Sequence, residues 1–124
     1  MKIVIIESPF AGKCGDRPWM DIERNLQYVR AAMRDSLLRG EAPYASHALY
    51  TQNGVLDDKN PTERALGIAA GFVFRSVANL TAVYQDLGVT EGMKLGIEDA
   101  EKRGCPIEYR NLEGWSSQER ICPK

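Results

Sequence analysis

The feature that most constrains this chain is its opening segment, Ile3-Val4-Ile5-Ile6, an unbroken run of β-branched residues at the N-terminus. A strand that is apolar at every position needs cover above and below. Such strands belong to parallel sheets flanked by helices. The rest of the chain has the matching rhythm. A glycine-containing loop runs from Ser8 to Trp19, and then Ile22, Leu26, Val29, Met33 and Leu37 recur at helical spacing, with Asp21 placed to cap and Gly40 to stop. Pro43 to Tyr50 reads as a second strand, with Tyr44, Ala45 and Leu49 as candidate core positions. After a polar stretch from Thr51 to Lys59, Asn60 and Pro61 start a helix, with Glu63 as the capping-box acid, and it runs to about Ala78. Leu80 to Tyr84 is a third strand, Thr90 opens a third helix that Gly104 ends, and Cys105 to Tyr109 is a fourth strand.

The order βαβαβαβ, with crossovers long enough to cover a sheet, predicts one doubly wound α/β domain over residues 1–110. Its four parallel strands take the order 2-1-3-4, with helices on both faces. Residues 111–124 read as a polar C-terminal tail, with Trp115 available to dock on a neighbour. The second helix is apolar nearly all round (Leu66, Ile68, Phe72, Val73, Phe74, Val77). A helix of that kind predicts burial on more than one side and a homo-oligomer, dimer or higher.

Composition narrows the partners. A formal net charge of −1, with Lys and Arg scattered rather than clustered, argues against a nucleic-acid polymer, which calls for a basic face. Three cysteines without paired spacing and a single histidine offer neither a disulfide framework nor a metal signature, so no metal and no cofactor is expected. No segment approaches a membrane span, and the N-terminal apolar run is too short for a signal peptide, which makes the cytoplasm the expected compartment.

In an open parallel sheet the ligand lies beyond the carboxyl ends of the strands. The first loop there, with Glu7, Ser8, Pro9, Phe10 and Gly12, can set backbone N–H groups and a hydroxyl against a phosphate or sugar, and Phe10 can stack on a base. It also makes an ordinary βα turn. The loop after the third strand places Asp86 for sugar hydroxyls, and Gly88, Thr90, Gly92 and Met93 at a helix N-terminus that favours an anion. Those residues equally make a plain turn and cap. His47 sits within the second strand, and a lone histidine there is also a common core residue. Arg64, near Asp57 and Asp58, either reaches the ligand or caps its helix.

Ser8-Pro9-Phe10 after the opening strand, and Gly92-Met93-Lys94-Leu95-Gly96 after a strand and an aspartate, resemble the nucleoside 2-deoxyribosyltransferase superfamily. Arg39-Gly40-Glu41-Ala42-Pro43 and Ser46-His47 also resemble small phage-borne proteins of uncharacterised function. The resemblance spans about residues 2–110. It implies a flavodoxin-like sheet, a nucleoside, nucleotide or ADP-ribose-type ligand, and oligomers in which a neighbour completes the pocket. In the transferases a glutamate that attacks the sugar stands between the Met and the Leu of that motif, where this chain has Lys94. An ammonium forms no glycosyl ester and repels developing oxocarbenium charge, whereas it suits a phosphate.

Two functions follow. In the first, the chain binds and sequesters, without turnover, a nucleotide-derived signal such as an ADP-ribose-type or cyclic nucleotide, a use that would suit a phage anti-defence sponge. In the second, it is a nucleoside deoxyribosyltransferase or N-glycosidic hydrolase whose carboxylate has moved to Glu91 or Glu98, one turn either side of Lys94. The binder is the primary expectation.

Overall fold

A computed structural model describes residues 1–10 and 18–115. Four parallel strands form one sheet: β1 (Ile3–Glu7), β2 (Ala42–Tyr44), β3 (Leu80–Tyr84) and β4 (Ile107–Arg110), in the order β2-β1-β3-β4. Ile5 pairs with Tyr44 on one side and Thr81 on the other, and Val83 pairs with Tyr109. The connecting helices are α1 (Pro18–Leu38), the one-turn α2 (Ser46–Leu49), α3 (Pro61–Arg75) and α4 (Glu91–Arg103). The doubly wound architecture and the 2-1-3-4 order are as the sequence predicts. No helix among the described residues is long and apolar enough to cross a membrane.

Strand alternation divides the core between two faces. Val4, Ile6, Ala82 and Tyr84 pack with Tyr28, Val29 and Ala32 of α1. Ile5, Glu7, Thr81 and Val83 point to the other face, where α3 and α4 lie. Central β1 is buried from Val4 to Ile6, which is why an unbroken apolar run suits it.

Several expected boundaries shift. The second strand stops at Tyr44 instead of Tyr50, because Ser46–Leu49 turn into α2; His47 therefore sits on a helical turn, not in a strand. The turn is seated on α3, where a Cβ on Gly71 would come within 3.0 Å of Ser46 Oγ. Asp21 lies in the first turn of α1 and is not its cap, since that helix already begins at Pro18. The buried positions of α1 are Arg24, Asn25, Tyr28, Val29, Ala32 and Ser36, which share only Val29 with the apolar periodicity, and Leu37 is exposed. Polar contacts set this register: Tyr28 donates to Asp86 (2.6 Å) and Ser36 to Glu41 (2.7 Å). Asn60 caps α3 through Thr62 and Glu63, but Glu63 accepts from the Asp57 N–H instead of closing the box. That helix ends at Arg75, short of Ala78, and β4 begins at Ile107, after Cys105 and Pro106. Residues 111–115, beyond β4, pack on the chain's own core: the Trp115 ring meets Tyr28 edge-on at 5.0 Å, and the Leu112 N–H bonds Asp86. Gly12, most of the first loop (11–17) and the tail beyond Trp115 (116–124) lie outside the described residues.

Candidate functional site

A cavity of about 190 Å³ opens beyond the end of β1, between α2, α3 and the N-terminus of α4. Its apolar wall comes from Ile5, Phe10, Leu56, Ile68, Phe72 and Met93, and its polar groups from Glu7, Ser8, His47, Asp58, Glu63, Arg64, Arg75, Thr90 and Glu91. Four glycines, Gly67, Gly71, Gly92 and Gly96, border it from the helices. A mostly apolar hollow with a few convergent polar groups is the usual form of a small-molecule site.

The floor is built where the sheet ends. Ser8 Oγ and His47 Nε2 share a hydrogen bond of 2.7 Å, which ties the end of β1 to α2. Burial holds the His47 imidazole down at about 4, so the pair is uncharged at neutral pH. Beside it, Glu7 meets Arg75 at 2.6 Å, and Arg75 also reaches Asp99 (2.9 Å) and Thr81 (3.1 Å). The Arg75 side chain is 1% exposed. Burial raises the Glu7 carboxyl to about 7, against the lowering by Arg75. Glu7 fits there because α4 carries Gly96 at its point of closest approach. A Cβ at that position would lie 2.7 Å from Glu7 Oε1 and closer still to Oε2. One buried guanidinium thus joins β1, β3, α3 and α4 under the cavity.

The rim carries donors whose chemistry suits an anion. Thr90 caps α4 by accepting from the Met93 N–H (3.3 Å), which leaves the N–H groups of Glu91 and Gly92, at the first two helical positions, without an intrahelical acceptor. Arg64 reaches over this terminus from α3. Its Nη1 bonds Asp58 (3.1 Å), and its Nη2 lies 3.3 Å from where a Cβ of Gly92 would sit. A guanidinium and free N–H groups at a helix N-terminus suit a phosphate or a carboxylate.

Of the residues expected from sequence, Glu7, Ser8, Phe10, His47, Arg64, Thr90, Gly92 and Met93 meet at this cavity, as does Glu91. Others do not. Pro9 is buried beside the cavity without lining it, and Gly88 makes an exposed turn at φ 93. Asp86 points to the α1 side of the sheet, where Oδ2 is taken by Tyr28 and Leu112. Lys94 and Glu98 face solvent from α4, and Lys94 pairs with Glu91 at 3.1 Å, with side-chain exposures of 55% and 83%. A lysine two positions past Gly92 is carried around the helix, away from the mouth.

Sequence reasoning missed Arg75, Asp99, Gly96 and the glycines of α3. Signals for them existed. Arg75 closes the long apolar run of α3, and a cation in such a place calls for a carboxylate. Gly67 and Gly71, four apart, mark a helix face that something approaches closely. No curated protein and no solved structure matches this chain. One family profile does, over residues 2–110, and the chain therefore belongs to the family described as Domain of unknown function (DUF7768).

Proposed function

We propose that this protein binds a nucleoside or a nucleotide-derived small molecule in the cavity at the end of β1, and holds it without turnover. The observation that carries this reading is the placement of Arg64 over the open N-terminus of α4, at the mouth of a hollow with aromatic and aliphatic walls. A base fits between Phe10, Ile68, Phe72 and Met93. Ser8, His47 and Glu7 supply hydrogen bonds for the sugar or the base edge, and the rim takes an anionic group. The resemblance to nucleoside 2-deoxyribosyltransferases supports the same ligand class. Absence of turnover is supported by Lys94, which stands where those enzymes carry their glutamate, and by the exposure of Glu91 and Glu98. Removal of a signal nucleotide by sequestration is the use we propose for such binding. The apolar outer face of α3, with Leu66, Val73 and Phe74 exposed, supports self-association.

One observation favours the enzyme reading: Glu7 lines the cavity with a carboxyl raised to about 7. Cleavage of an N-glycosidic bond would then use Glu7 in place of Glu91 or Glu98. Calorimetric titration with nucleosides and nucleotides tests the binder. Wild type should bind, and Gly92→Leu, which displaces Arg64, should lose binding while keeping its unfolding transition. Equal affinity in both would place the ligand elsewhere, and free base released by wild type but not by Glu7→Gln would make the protein an enzyme.

A further inference from the structure

We infer that the cavity admits at most one phosphate, so that its ligand is a nucleoside or a nucleoside monophosphate, open or cyclic, and not a diphosphate of the ADP-ribose type. This rests on the nucleoside-binding reading above and narrows it. Three observations on the described residues point the same way.

The first is charge. The lining holds four carboxylates, Glu7, Asp58, Glu63 and Glu91, against two guanidiniums, Arg64 and Arg75. A site built for a polyphosphate has the opposite balance, because each added phosphate brings charge that must be met at close range.

The second is that both cations already have partners. Arg75 is fixed between Glu7 and Asp99 beneath the floor. Arg64 spends Nη1 on both oxygens of Asp58, at 3.1 and 3.3 Å, which leaves Nη2 toward the α4 terminus. Lys94 is turned outward onto Glu91. One guanidinium edge and two N–H groups make a seat for a single phosphate. A second phosphate would be directed toward Glu91 or Glu63 at the mouth.

The third is room. About 190 Å³ is below the roughly 300–1,000 Å³ common for drug-sized ligands, and so favours a single nucleoside over a dinucleotide.

The test is a calorimetric series on the full chain. It uses the common ribonucleosides, their 5′-mono-, di- and triphosphates, the cyclic monophosphates and ADP-ribose, at low and high salt. For the base that binds, nucleoside and monophosphate should agree within about tenfold, and the second phosphate should weaken binding by about tenfold or more. Added salt should narrow that gap by screening the repulsion. Glu91→Gln should raise diphosphate affinity several-fold relative to nucleoside affinity. Affinity that climbs from mono- to triphosphate, or ADP-ribose as the tightest ligand, would overturn the inference and leave nucleotide binding standing. Silence from every ligand would overturn both.

Discussion

Gly96→Ala sets two physical effects against each other with opposite signs. Helix propensity alone favours alanine over glycine in a helix interior by about 0.5–1 kcal/mol. The structure predicts the reverse. The new methyl would occupy the space of the Glu7 carboxylate, at 2.7 Å from Oε1 and less from Oε2, and would drive it off Arg75. Breaking one side of a buried ion pair costs about 3–5 kcal/mol. Here the loss is smaller, because Arg75 keeps Asp99 and Thr81 and because Glu7, 15% exposed, can swing toward the cavity. We expect a net destabilisation of about 2–3 kcal/mol, and for a chain of this length a fall in Tm on the order of 10 °C. Urea unfolding at constant m-value measures it. The control is a cycle with Glu7→Ala. If the clash is the cause, Gly96→Ala adds little to a chain that already lacks Glu7, and the coupling energy approaches the single-mutant cost. A Gly96→Ala protein as stable as wild type or more so would refute the account of the floor.

Arg64→Ala should weaken a phosphorylated ligand by about 1–3 kcal/mol, the scale of a charge-assisted hydrogen bond, whereas Lys94→Ala should change affinity by less than about 0.5 kcal/mol; parallel titrations decide. The pH dependence of stability carries two opposed signs. His47 has its folded pKa depressed to about 4 from 6.5, so the unfolded chain takes up a proton that the native state refuses, and stability from this group falls as pH drops through that window. Glu7 is raised from 4.5 to about 7, so its contribution is present below 4.5 and lost as pH rises through 7. Urea midpoints across these windows should therefore fall with rising pH in His47→Gln and rise in Glu7→Gln; identical slopes would remove both groups from the account. If α3 mediates self-association, sedimentation should find an oligomer for wild type and a monomer for Val73→Glu, and a wild-type monomer at micromolar concentration would end that proposal.

The layout of the sheet was legible because it rests on local signals. An apolar first strand, helices with caps at Asn60 and Thr90, and the stop at Gly104 each act within a few residues. The second strand was misread because Tyr44 to Tyr50 has no strong strand or helix signal of its own. What makes Ser46–Leu49 helical is a seat on Gly71, distant in sequence. The α1 register was missed for a similar reason: apolar spacing marks Leu37, but the buried face is set by hydrogen bonds from Tyr28 to Asp86 and from Ser36 to Glu41. At the site, residues at strand ends and helix starts could be placed from topology alone, which is why Ser8, Arg64 and Gly92 meet as expected. The orientation of Lys94 depended on helical phase at the mouth. The Glu7, Arg75 and Asp99 group joins residues far apart in the chain, which no local pattern connects.

The proposed function depends on a nucleobase-bearing ligand in the cavity. Its most direct test is to purify the protein from its native host, denature it, and identify the released small molecules by mass spectrometry. Wild type should release a nucleoside or nucleoside monophosphate in near-stoichiometric amount, and Gly92→Leu prepared in the same way should be depleted of it. Release of no nucleobase-bearing molecule, or of equal amounts from both proteins, would contradict it.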